Sequence, residues 1–173
     1  MLKSLLIGAA ALTLAGCATV DVANYRSEHP PLDLAQYFNG TVDGWGMFQD
    51  RSGQVIRRFT VRIDAKWDGN RGTLDEHFEF SDGEKQNRIW TLVKDGDRYT
   101  GTAGDVVGTG QGLQQGNAFN MRYVLRVPWA ERTIDVDMDD WMWRIDAETV
   151  LNRTAMTKLG FRVGEVTLSL RKR

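Results

Sequence analysis

The chain predicts an all-β fold: an antiparallel up-and-down barrel of eight to ten strands, lipocalin-like in architecture. Three observations predict it. Two-residue turn signals recur at short intervals, at Ser52-Gly53, Asp68-Gly69, Asp82-Gly83, Asp95-Gly96 and Gly116-Asn117. The segments between them alternate apolar and polar residues with the period of a strand. The 18 glycines and 6 tryptophans, against 3 prolines, suit turns and pleated surfaces better than helix bundles. Successive hairpins without long crossovers favour a meander, and a meander loses its edges by closing into a barrel.

Strands are expected near 41–49, 54–65, 72–81, 86–94, 98–113, 117–127, 133–145, 149–158 and 162–171. The stretch 98–113 reads as two strands or one bent strand, because its five glycines permit bulges and sharp curvature. A barrel of this size encloses one small apolar ligand. A transmembrane barrel is the rival, and it needs an apolar outer band. Arg58, Arg62, Asp75, Glu79, Arg122, Arg126, Asp135 and Asp137 fall on the outward faces and argue against it.

The N-terminus states an address. Lys3 precedes an Ala/Leu-rich run from Leu5 to Leu14, which ends in Leu14-Ala15-Gly16-Cys17. A basic start, a short apolar run and small residues before a cysteine describe an export signal, too short to span a bilayer. Leu-Ala-Gly-Cys resembles a bacterial lipobox, in which the cysteine thiol is diacylated and becomes the new N-terminus. Residues 1–16 are thus expected to be a lipoprotein signal peptide, and Cys17, the single cysteine, the lipidation site. Two or three acyl chains hold a protein firmly on a membrane where one holds it marginally. Under the sorting rule that the lipobox resemblance implies, Ala18 directs the protein to the outer membrane, periplasmic face. Residues 17–37, with Pro30-Pro31 and no sustained period, read as a lipidated tether with a short helical turn at Asp33–Tyr37. The barrel domain is expected over 38–173.

The strand faces point to an interior site. Val55, Arg57, Phe59, Val61 and Ile63 share one face; so do Leu74, Glu76, Phe78 and Phe80, then Arg88, Trp90 and Leu92. Phe119, Met121, Tyr123 and Leu125 line up further on, as do Ile134, Val136 and Met138, and finally Val166, Leu168 and Leu170. Arg57, Glu76 and Arg88 are the anomaly, because they are charges on the apolar faces of three consecutive strands. A buried charge is costly unless it is paired. A salt-bridge cluster at a barrel mouth, its surplus positive charge met by Asp105 or Asp140, is one reading. An anchor for an anionic lipid headgroup is the other, since arginine grips carboxylate and phosphate bidentately. The ligand-binding set is therefore Arg57, Glu76, Arg88, Trp90, Tyr123 and Trp141. At Asp139-Asp140-Trp141-Met142-Trp143 the apolar positions switch parity, which predicts a bulge that aims Trp141 and Trp143 at a core, a ligand mouth or a bilayer interface.

Other chemistry has no sequence signature. There is no HExxH, no cysteine pair, no GxSxG and no complete GxGxxG, so no catalytic residue, metal site or cofactor is assigned. His29 lies in the tether and His77 on an outward face. With 22 basic and 23 acidic residues the chain has no basic excess, so no nucleic-acid partner is expected.

Nearly all of 38–171 resembles the DUF3833 family of bacterial lipoproteins. The resemblance rests on Gly44-Trp45-Gly46-Met47-Phe48, on Leu74-Asp75-Glu76-His77-Phe78 with Ser81-Asp82-Gly83, and on Arg88-Ile89-Trp90. It continues through Ala103-Gly104-Asp105-Val106-Val107-Gly108, Asp139-Asp140-Trp141-Met142, Asn152-Arg153 and 159–166. The family brings no activity and no functional residues to map. The expected function is a membrane-anchored, periplasm-facing lipoprotein whose partners are the membrane, through its acyl chains, and a lipid or fatty-acid-like ligand in a cavity of several hundred cubic ångströms. The alternatives are an envelope scaffold with a filled barrel and a lipid-modifying enzyme using Glu76 or Asp140.

Overall fold

The computed structural model describes residues 20–173. The signal peptide, the lipobox and Cys17 lie outside the described residues. Ten antiparallel strands form the body: β1 Gly40–Asp50, β2 Val55–Asp68, β3 Arg71–Phe80, β4 Lys85–Asp95 and β5 Arg98–Thr102, then β6 Val106–Gln115, β7 Ala118–Trp129, β8 Arg132–Arg144, β9 Thr149–Lys158 and β10 Phe161–Lys172. Each pairs with its sequence neighbour, and β1 pairs with β10 from Val42↔Lys172 to Asp50↔Gly164, closing the barrel. The expected meander is the observed one. The stretch 98–113 is two strands, interrupted at Ala103–Asp105, where Val106 N–H donates to the Ala103 carbonyl.

The turns after β1, β3, β5, β7 and β9 gather at one end, the mouth; those after the even-numbered strands gather at the other, the floor. The N-terminal segment seals the floor. Asp33 caps the one-turn helix α1, Leu34–Tyr37, by accepting from Gln36 N–H, a standard N-cap role. Leu32, Leu34, Tyr37 and Phe38 are buried with the barrel core. The Trp67 indole donates to the Phe38 carbonyl at 2.9 Å, and Leu32 N–H donates to the Gly116 carbonyl at 2.8 Å.

Residues 20–31 are therefore not a free tether over their described length. A 3-10 turn at Val22–Tyr25 lies on the outer wall, where Val22 packs with Ala118 and Trp141. Trp141 and Trp143 stack at 5.6 Å, and Tyr25 tilts against both. This corrects the expected bulge. The β7–β8 register runs without a break from Ala118↔Trp143 to Trp129↔Arg132, so alternation holds through Asp139–Asp140. Asp140 points in and the indoles point out. The outer wall becomes apolar there because the chain's own N-terminal segment covers it.

Inward glycines make room for large side chains. A Cβ on Gly46 would sit 2.3 Å from the Phe59 ring, and one on Gly72 would sit 2.4 Å from the Trp67 indole. Much of the rest of the outer wall is charged, with pairs such as Arg126–Asp135 at 2.8 Å and Lys85–Glu79 at 2.7 Å, while Trp45, Ile89 and Leu151 are exposed on it. Among the described residues no helix is long and apolar enough to cross a membrane.

Candidate functional site: a polar chamber inside the barrel

The interior holds a cavity of about 140 Å³, lined mostly by aliphatic and aromatic side chains. That is well short of several hundred cubic ångströms and close to the size that admits one benzene-sized molecule. The barrel is neither roomy nor filled. The aromatic cluster Phe48, Phe59, Phe78 and Phe80 narrows it toward the mouth, with ring centroids 5.3–6.3 Å apart.

One stretch of this lining is polar. The β3–β4 hairpin sets Glu76 directly opposite Arg88, so the two become cross-strand neighbours on the inner face. Arg88 spends most of its fork on Asp105, in the connection between β5 and β6. Its Nε donates to both carboxylate oxygens at 2.9–3.0 Å, and its Nη2 donates to Oδ2 at 2.8 Å. Its Nη1 stands 3.6 Å from Glu76 Oε2. The connection is itself fixed, because the Asp105 carbonyl accepts from Arg126 N–H. Across the chamber, Asp140 of β8 accepts from the Asn152 amide and, at 3.4 Å, from the Tyr123 hydroxyl. Thr154 lies opposite Asp140 in the register. Trp90 completes the group, edge-on to Tyr123 at 5.2 Å.

The electrostatics follow from burial. Loss of water pushes the Glu76 carboxyl up to about 7; Arg88 pulls it down, and Asp140 and Asp105 push it further up. Burial likewise raises Asp140 to about 6 against the hydrogen bonds from Asn152, Thr154 and Tyr123 that favour its charge. Burial lifts the Tyr123 hydroxyl well above its ordinary range, with the Asp140 charge adding to it. Burial opposes the Arg88 charge, but Glu76 and Asp105 outweigh it and keep the guanidinium protonated. Only 14% of the Glu76 side chain is accessible, and Glu76 is among the residues that line the chamber.

Of the six residues expected to bind ligand, the structure brings four together: Glu76, Arg88, Trp90 and Tyr123 line the chamber. Arg57 does not join them. The parity of its strand is right, but Glu76 pairs with Ile63, six residues along β2 from Arg57, or ~20 Å at strand rise. Arg57 instead lies at the mouth, its Nη2 on Asp82 at 2.8 Å and Glu84 at 2.6 Å, its guanidinium 3.7 Å above the Phe80 ring. Trp141 faces outward under the N-terminal segment. The expected surplus of positive charge is reversed as well: one guanidinium meets two carboxyls, Glu76 and Asp105, and a third, Asp140, lines the chamber without meeting it. Asn152 and Thr154, buried polar residues on β9, were not in the expected set. The signal for Asn152 was present, since it alternates with the buried Val150 and Thr154 along that strand. Among the described residues no group of three or more His, Cys, Asp or Glu is arranged to hold a metal ion.

The sequence model of the family described as a protein of unknown function, DUF3833, matches residues 11–172. The chain belongs to the DUF3833 family. No curated protein matches it. Among solved structures, the DUF3833 chain is similar to an S-type phycobiliprotein lyase from Guillardia theta, with a TM-score of 0.57 and 12% identity over 80% of this chain and 90% of that one. It is also similar to a DUF3598-family protein of unknown function from Nostoc punctiforme, with a TM-score of 0.61 and 15% identity over 84% of this chain and 51% of that one. At these identities the likeness is one of fold: a lipocalin-like barrel.

Proposed function

We propose that the protein is a lipid-anchored envelope lipoprotein whose barrel binds one small, largely apolar, lipid-derived molecule by its polar end. The observation that carries the binding reading is the chamber itself. A fold that needed only a core would fill this space with side chains, and buried ionisable groups beside a cavity are costly unless something uses them. An apolar pocket with a few convergent polar groups is the ordinary form of a small-molecule site. The barrels of the phycobiliprotein lyase type lend this reading the support of a shared architecture. The small volume favours a ring-sized or short-chain guest; a long acyl chain requires the phenylalanine cluster at the mouth to move.

Native mass spectrometry and solvent extraction of the purified protein test the binding reading. One small apolar molecule per barrel is the expected result, and barrels that stay empty when offered membrane extract would overturn it. The anchor is supported by the lipobox, and the outer-membrane address by Ala18. Replacing Cys17→Ser is expected to abolish labelling by a fatty-acid analogue and to leave uncleaved precursor; unchanged labelling removes the anchor, and with it the outer-membrane address.

A second reading, proton transfer on the bound molecule, is favoured by one observation. Glu76 combines a raised proton affinity near neutrality with a place in the chamber wall beside an arginine, the setting that general acid–base catalysis requires. Under it, the bound molecule takes up deuterium at carbon in D2O. Simple binding leaves its C–H bonds unlabelled.

A further inference from the structure

We infer that the chamber receives the hydrogen-bond-donor end of its guest, an amine above all, and discriminates against carboxylates. This deepens the binding reading and rests on it.

A census of the polar groups carries the inference. Most of the donors are committed, Arg88 Nη1, 3.6 Å from Glu76 Oε2 and beyond hydrogen-bond distance, being the exception. Arg88 gives Nε and Nη2 to Asp105, and its Nη1 faces Glu76. Both protons of the Asn152 amide are spent, on Asp140 and on the Trp141 carbonyl. The Tyr123 hydroxyl donates to Asp140. The Nε–Nη2 edge of the guanidinium, taken by Asp105, is closed to an incoming anion. The acceptors are in surplus, and one stands out: Glu76 Oε2 is buried and has no hydrogen-bond partner. Leaving such an acceptor unpaired is expensive, so a guest that supplies an N–H or O–H recovers that cost on binding.

Charge points the same way. A carboxylate entering here meets two acidic groups in the wall, Glu76 and Asp140, and one arginine that Asp105 already engages. An ammonium meets a carboxylate with a free lone pair inside an apolar enclosure, where a charge-assisted contact is strong and water does not screen it. The remaining walls, Trp90, Met121, Leu125 and Met138 among them, offer only apolar contact to the body of the guest. The volume sets that body at about one six-membered ring.

Titration calorimetry of the purified full-length protein with benzylamine, benzyl alcohol and benzoate tests this on three probes of one size. Benzylamine is expected to bind about ten- to a hundredfold tighter than benzoate, with benzyl alcohol between them. Glu76→Gln is expected to remove the advantage of the amine over the alcohol. Benzoate binding tightest, or benzylamine binding unchanged in Glu76→Gln, overturns the inference but leaves the chamber a binding site. Failure of all three probes to bind overturns the inference and the binding reading together. The rank order on the unmutated protein decides the matter even where Glu76→Gln does not fold.

Discussion

Arg57 and Arg88 occupy equivalent-looking places in the sequence and different depths of the barrel. Each interrupts an apolar strand face, and each ends up beside two carboxyl groups and a phenylalanine ring. At the mouth, Arg57 bridges Asp82 and Glu84, whose side chains are more than half exposed. In the chamber, Arg88 meets Asp105 and Glu76, of which less than a quarter is accessible. Water makes the difference. The mouth pairs are screened and replaceable, while the chamber pairs are the only solvation their members have. The same residue type on the same parity is a surface latch in one region and a structural necessity in the other.

The largest effect should come from breaking the chamber side. Arg88→Met leaves the buried Glu76 without its counter-ion and Asp105 without its main partner, and is expected to cost about 3–5 kcal/mol, near 10 °C or more in Tm for a domain of this size. The loss should be greater at pH 8 than at pH 5.5, where Glu76 takes up a proton instead. A variant that melts like the parent at both values would show that the chamber is wet.

Next in size is the pH dependence of the unmutated protein. Glu76 and Asp140 are held above their ordinary values of 4.5 and 3.8, at about 7 and about 6. The folded state therefore binds these protons more tightly than the unfolded chain. Their contribution favours folding most below about pH 4 and is lost as pH rises through 6 and 7. Stability is expected to fall by a few kcal/mol between pH 5.5 and 8, read as a Tm lower by about 5–10 °C. Glu76→Gln should raise Tm at pH 8 and flatten that slope. Below about pH 4 the surface carboxyls held down by partners, Asp82 and Asp135 among them, reverse the trend.

The smallest effect belongs to the mouth. Arg57→Met is expected to cost about 1 kcal/mol or less and to leave the affinity of the chamber for benzylamine unchanged. A loss as large as that of Arg88→Met would erase the distinction between the two regions.

These two arginines also mark how far the sequence could be read. Parity is a local property, and it places Glu76, Arg88, Trp90 and Tyr123 on the inner face without any knowledge of neighbours. Position along the barrel axis is not local. Arg57 and Glu76 share a face, yet the β2–β3 register sets them six residues apart, and register depends on turns and pairing rather than on period. The indoles at 141 and 143 failed for a related reason. Outward apolar residues on β8 imitate a parity switch because the segment that covers them lies more than a hundred residues earlier in the chain. The sign of the interior charge depended on Asp105 and Asp140 both turning inward, and Asp105 sits in a connection where alternation carries no information.

The floor of the barrel has a consequence for the order of assembly. Its residues are among the first of the described chain, and several of their partners lie far along it, up to the last strand. Leu34 waits for Gln114, Tyr37 for the Glu148 carbonyl, the Pro31 carbonyl for Arg144 and the Gln36 carbonyl for Lys172, separations of 80, 111, 113 and 136 positions. Contacts this distant pay the entropy of closing long loops before they return any stability, and they form late. A chain that emerges N-terminus first thus carries a base plate that Trp67 and Lys94 can hold early but that is fully moored only when the final strand is in place. The ring of strands and the seal beneath it become complete in the same last step.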